Sequence, residues 1–99
     1  MVRGTTPALR FEFPFELTNV AELWVTLKQD NNIVLDKALA DCELDGAILT
    51  LRLTQQDTLK LNAFMPVAIQ IRMRTNDGNA VASNIITTSV GQILKDGVI

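Results

Sequence analysis

Alternation is the feature that most constrains this chain. In Val67-Ala68-Ile69-Gln70-Ile71-Arg72-Met73-Arg74, Val67, Ile69, Ile71 and Met73 fall on one side and Ala68, Gln70, Arg72 and Arg74 on the other. This is the two-residue period of a β-strand with one face in a core and one face nearer water. The same period recurs along most of the chain. Ala8 to Phe13 turns Leu9, Phe11 and Phe13 inward and Arg10 and Glu12 outward. Pro14 ends that strand or puts it at an edge, because proline cannot donate to a ladder. Glu22 to Gln29 alternates Leu23, Val25 and Leu27 with Trp24, Thr26 and Lys28. Ala47 to Leu53 sets Ala47, Leu49, Leu51 and Leu53 on one face.

Turn residues punctuate these runs. Asp30-Asn31-Asn32 joins the second strand to a third over Ile33 to Ala38, since Asn tolerates the left-handed backbone of a tight turn. Leu39 to Leu44 reads as a short strand or an edge, followed by the hairpin signal Asp45-Gly46. Thr54-Gln55-Gln56-Asp57 has the form of a capping box and predicts one helical turn over Gln55 to Leu59, crossing between sheets. Val67 to Thr75 then turns at Asn76-Asp77-Gly78-Asn79 into a last strand, Ala80 to Val90. The phase of that strand is broken: Val81 and Ile85 keep one parity, Ala82, Ile86 and Val90 the other. A β-bulge near Asn84 reconciles them. About seven short strands with regular turns and one helical turn predict an all-β, immunoglobulin-like antiparallel β-sandwich, with a small barrel as the alternative. The Cys–Trp–Cys set of antibody domains is absent. The expected core is Leu23, Val25, Leu27, Leu49, Leu51, Ile69, Ile71 and Met73.

Ninety-nine residues make one domain, read as a sandwich with an extended N-terminal leader (1–7) and an apolar C-terminal tail (92–99). Such a chain can bury roughly 60–65 % of its unfolded surface, enough to fold without disulfides or metal. It is 47 % hydrophobic, yet holds only four Phe, one Trp and no Tyr. That much aliphatic content in a small domain argues for self-association or a partner surface. A net charge of −2 speaks against nucleic acid, which wants a basic face. The start of the chain has no apolar h-region, and no run approaches the ~20 residues of a membrane span, so neither a signal peptide nor a membrane partner is expected. The single Cys42 has no partner for an intramolecular disulfide, which fits a reducing compartment.

The sequence carries little catalytic vocabulary. Without histidine there is no Ser–His–Asp or Cys–His arrangement and no imidazole ligand. Cys42 sits between Asp41 and Glu43, neighbours that raise a thiol pKa and blunt its reactivity. Asp36, Asp41, Glu43 and Asp45 cluster within ten residues, but on an extended stretch they read as a solvated edge rather than a calcium site. Asn76 to Asn79 fails the EF-hand pattern, because aligning Gly78 puts Met73 first and Asn84 last. No metal, no cofactor and no enzymatic activity are expected. Arg72 and Arg74 share a face with Gln70, and Arg52 is placed with them as a solvated stripe paired with acids. Phe11, Phe13 and Phe15 read as core. Trp24 has the opposite parity to its apolar neighbours, which puts it on the outer face as an interface candidate or under a loop. Gln92 to Ile99 is the other candidate interface: Ile93, Leu94, Val98 and Ile99 are aliphatic in a segment that a bare tail would make polar. The alternative is that Ile93 and Leu94 fold back over the end of the sandwich.

Several short segments carry a resemblance. Arg3-Gly4-Thr5-Thr6-Pro7 leads into an apolar strand. Trp24-Val25-Thr26-Leu27-Lys28-Gln29 and Leu51-Arg52-Leu53-Thr54-Gln55-Gln56-Asp57-Thr58-Leu59 follow, then Ser83-Asn84-Ile85-Ile86 before Ile93-Leu94-Lys95-Asp96-Gly97. Together they resemble small prophage-encoded proteins of Gram-positive gut bacteria. The middle and end are similar to the N-terminal immunoglobulin-like domain of phage baseplate upper proteins. The resemblance implies a phage structural or assembly protein, associated with a tail or baseplate. Its partners would be itself, as a homo-oligomer, or other phage structural proteins. It would reside in the bacterial cytoplasm during assembly, or in the virion. The motifs are structural, so no catalytic residue is implied. The rival expectation is a carbohydrate- or ligand-binding module built around Trp24.

Overall fold

The computed structural model describes residues 1–99. Its strands are β1 (Ala8–Glu12), β2 (Val20–Gln29), β3 (Asn32–Ala38), β4 (Cys42–Asp45), β5 (Ile48–Arg52), β6 (Val67–Thr75), β7 (Ala80–Ala82) and β8 (Ile86–Thr88). A 3-10 turn over Leu39–Asp41 precedes β4, and the single helical turn α1 (Gln55–Leu59) lies between β5 and β6. No helix is long and apolar enough to cross a membrane.

The strands form two antiparallel sheets. One is ordered β1-β5-β4; the other is ordered β3-β2-β6-β7, with β8 also on β6. Immunoglobulin folds place their strands as A-B-E-D against C′-C-F-G. With β1 as the second strand of that scheme, the observed orders are B-E-D and C′-C-F-G. The fold is therefore an immunoglobulin-like sandwich in which β1 has no strand on its outer side. Met1 to Arg3 do not fill that place. Val2 makes a parallel bridge with Gly91, Arg3 N–H donates to Gly91 C=O (3.0 Å) and Gly91 N–H donates to Met1 C=O (2.6 Å). The leader is thus not extended throughout: it turns at Gly4 (φ 71°), whose missing Cβ leaves room for the Ile93 side chain.

The core follows from the alternation. Leu23, Val25, Leu27, Leu49, Leu51, Ile69, Ile71 and Met73 are all buried. Two residues, Asp30 (φ 48°) and Asn31 (φ 66°), connect β2 to β3, both left-handed as a two-residue hairpin of primed type requires. Gly46 (φ 60°) supplies the same freedom between β4 and β5. The capping box is closed on both sides: Asp57 N–H donates to Thr54 Oγ1 (3.1 Å), and Thr54 N–H to Asp57 Oδ2 (3.0 Å).

The last expected strand, Ala80 to Val90, is divided. β7 pairs Arg72 with Ala82, and β8 pairs Ile69 with Ile86. Two residues of β6 therefore face three, Ser83 to Ile85. This is the one-residue slip that the phase break around Asn84 predicts. Ser83 bridges the gap: its N–H donates to Ile71 C=O (2.8 Å) and its Oγ accepts from Ile71 N–H (3.0 Å).

Candidate functional site

Three surfaces carry the features from which a function can be built. The first is the open side of the sandwich. β1 is an edge of the small sheet and β7–β8 an edge of the large one, and a groove of about 570 Å3 runs between them. Phe11, Phe13, Phe15, Met73, Val81 and Ile86 line it. Phe13 and Phe15 rest against each other with centroids 5.6 Å apart. Phe11 and Phe13 pack against the core as expected, at its margin, whereas Phe15 does not. Phe11 and Phe13 are half-buried and Phe15 is 43 % exposed, because the small sheet ends at β1. Val81 (40 % exposed) and Ile86 (46 %) lie opposite buried Met73 and Ile69 and point toward the core side, yet nothing covers them.

The second surface is the outer face of the large sheet. β2 and β6 place Trp24 directly opposite Arg72. Trp24 is on the outer face, as its parity implies, and its Nε1–H donates to Glu22 Oε2 (2.8 Å). Arg74 reaches Glu22 Oε1 (3.5 Å), and Thr26 Oγ1 donates to Asp36 Oδ1 (2.7 Å). The Trp24 hydrogen bond, then the Arg74 contact, hold the Glu22 carboxyl below the ordinary glutamate value. Arg72 forms no ion pair in this cluster, so a cation lies free beside an indole over a shallow depression of about 400 Å3. Arg52 does not belong to this stripe. It stands on β5 in the other sheet, against Glu43 (3.2 Å).

The third surface is the C-terminal tail, whose four aliphatic residues divide. Ile93 is half-buried and packs toward Gly4 and Leu59, which is the fold-back arrangement. Leu94 is fully exposed, Ile99 is 92 % exposed and Val98 also faces water. The tail is held by its backbone: Ile99 N–H donates to Gln55 Oε1 (2.9 Å) and Gln55 Nε2 to Ile99 C=O (3.1 Å). Arg3 anchors the junction, donating from Nε to Leu61 C=O (2.7 Å) and from a terminal nitrogen to Leu59 C=O (3.0 Å) at the end of α1.

The acids of the 36–45 stretch serve different partners. Asp36 takes the Thr26 hydroxyl, Asp41 accepts from Ala38 N–H (3.0 Å) and Glu43 takes Arg52. No group of three or more His, Cys, Asp or Glu side chains converges as metal ligands would. Burial, then the Asp41 charge, push the Cys42 thiol upward, away from the thiolate that nucleophilic chemistry needs. Two buried polar residues escape sequence reasoning. Gln29 holds the loop before β6, donating to Asn62 C=O (2.8 Å) and Met65 C=O (3.0 Å) and accepting from Asn62 N–H (2.8 Å). Thr58, fully buried, donates to Thr5 C=O (2.8 Å) and ties the leader to α1. Gln29 could have been found, since its odd number puts it on the core face of β2. No family model, curated protein or solved structure matches this chain.

Proposed function

We propose that this protein is a non-enzymatic assembly module that works through protein–protein contacts, as a structural or assembly component of a phage or prophage tail or baseplate. The observation that carries the contact role is the uncovered groove between β1 and β7–β8. A sheet edge with unpaired backbone groups beside exposed Phe15, Val81 and Ile86 is a template for another chain. The exposed Leu94, Val98 and Ile99 offer a second point of attachment. The phage assignment rests on the motif resemblance, as does residence in the bacterial cytoplasm during assembly and in the virion. Particles released by inducing the host lysogen, analysed by mass spectrometry, test it. The chain is expected alongside tail or baseplate proteins. Its absence from particles and from their head and tail precursors overturns the reading.

A second reading has its own observation. Trp24 beside the unpaired Arg72, ringed by Glu22, Thr26 and Asp36, is the aromatic–polar platform that a carbohydrate- or ligand-binding module uses. The chain has one tryptophan, so its fluorescence reports this face alone. Saturable change on titration with oligosaccharides, lost in Trp24→Ala, supports this reading; no response to any sugar class removes it.

A further inference from the structure

The open edge has a specific partner written into it. Resting on the reading of that edge as the contact surface, we infer that β1 pairs antiparallel with β1 of a second copy, across a two-fold axis at Phe11, in the place of the missing first strand.

The hydrogen-bond phase sets which residues can pair. Phe13 N–H donates to Ala47 C=O (2.8 Å) and Leu53 N–H to Pro7 C=O (3.0 Å). The odd-numbered residues of this segment therefore turn their backbone groups toward β5. Those of Ala8, Arg10 and Glu12 point away, to the free edge. A strand added there must place its own outward-pointing residues opposite these. For a second copy of β1, the partners of Arg10 and Glu12 are again even-numbered.

Charge then selects the register. With Phe11 opposite its own copy, Arg10 faces Glu12 of the partner subunit and Glu12 faces Arg10 of the partner subunit. Both pairs are opposite in sign, on the solvent face, at positions that exchange backbone hydrogen bonds. A slip of one register step in either direction puts Arg10 against its own copy or Glu12 against its own copy, and like charges directly opposed are destabilising. Exposed charges on an edge strand usually repel a docking strand. Here they repel most strands but accept one with the reversed order, which an antiparallel copy of itself supplies. Pro7 and Pro14 bracket the segment and confine pairing to the stretch between them.

The core side of the same register is apolar. Phe11 meets its copy, and Leu9 meets Phe13 of the partner subunit. These side chains already line or adjoin the groove, so the two grooves open onto each other and Phe15, Val81 and Ile86 gain cover. The small sheets become one continuous six-stranded sheet, and each β1 acquires the neighbour that an immunoglobulin fold gives its second strand.

Charge reversal with rescue tests this on the intact chain. Light scattering and sedimentation measure the dimer for the wild type, Arg10→Glu, Glu12→Arg and the double variant carrying both. The replaced side chains are exposed, and melting of each sample confirms the fold. The wild type is expected to dimerise. Each single reversal weakens the dimer by about tenfold or more, because symmetry counts the repulsion twice. The double variant restores it. A monomeric wild type, single variants as dimeric as the wild type, or a double variant as weak as the singles each overturns the pairing. A monomeric chain that still enters particles removes the self-pairing and leaves the assembly role standing. A dimeric chain absent from particles removes the assembly role and leaves the pairing.

Discussion

Asp57 makes three contacts at once, two with Thr54 and one with Lys37. Its carboxylate accepts from Thr54 N–H and from Lys37 Nζ (2.9 Å), and its own N–H completes the capping box. Burial alone would raise its pKa, but the Thr54 N–H, the Lys37 ammonium and the Thr54 side chain together hold it below the ordinary aspartate value. A depressed carboxylate adds stability that is fully present above its unfolded pKa of about 3.9 and is lost as the pH falls through the folded value. Urea midpoints are therefore expected to be flat near neutrality and to drop below about pH 4. Asp57→Ala should shrink that drop and lower stability by about 2 kcal/mol at pH 7, through a lost cap and a stranded Lys37. An Asp57→Ala protein with the wild-type midpoint sinks this account. Gln29 supplies the parallel case for a neutral group. Gln29→Ala strands three backbone groups and should cost roughly 2–3 kcal/mol. Gln29→Glu should be no better, since a carboxylate would face two carbonyl oxygens; a wild-type urea midpoint for Gln29→Glu contradicts this. The Thr54–Asp57 half of the first network was legible because capping is local. Lys37 was not, because it arrives from β3 through tertiary packing that no spacing in the chain expresses.

Among the elements, alternation located the strands well wherever one face is buried and the partner runs in simple register. Bulges are where it lost direction. Leu27 pairs with Leu35 but Lys28 pairs with Ile33, so Val34 is the extra residue and Ile33 turns outward to 60 % exposure despite sharing parity with buried Leu35. The slip between β7 and β8 was visible only because both flanks are apolar and their parities clash. Leu17 and Leu61 are buried outside any strand, where period has nothing to mark, and Val90 is buried beyond the end of β8, although the expected strand ran to it. The Ser83 bridge gives the second slip an energetic handle. Ser83→Ala leaves Ile71 N–H without its acceptor in the middle of β6 and should cost about 1 kcal/mol. Hydrogen exchange at the Ile71 amide should accelerate, while Ser83→Thr keeps the acceptor and the protection. Equal exchange in wild type and Ser83→Ala would mean that the hydroxyl is not the partner. Ile71 itself, buried between the sheets, should cost roughly 2–5 kcal/mol when cut to Ala, read from the urea midpoint.

At the scale of the whole molecule, the aliphatic excess of the sequence has a location. Much of it lies on the side that β1 leaves open and on the tail, with Ile33 (60 % exposed) and Phe64 (84 %) standing apart from both. Composition could say that a partner surface was expected; only the strand order shows that one side lacks its outer strand, because pairing order is not encoded in any local pattern. The tail combines two roles that truncation and substitution separate. Ile93 packs near Leu59 and Gly4, Asp96 meets Arg3 (3.4 Å), and Ile99 pairs its backbone with Gln55. Removing Gln92 to Ile99 deletes all three and should lower stability by about 1–2 kcal/mol, a fall in melting temperature of roughly 5–15 °C for a domain of this size. Leu94→Ser combined with Ile99→Ser touches only solvent-facing side chains and keeps the backbone pair to Gln55. Melting should then move by less than about 0.5 kcal/mol equivalent. The same double variant strips the apolar contact that a binding partner would use. Reduced recovery in assembled particles with unchanged melting marks Leu94 and Ile99 as contact residues. Undiminished recovery with unchanged melting shows instead that Leu94 and Ile99 are not contact residues, and leaves the tail its role in closing the sandwich through Ile93.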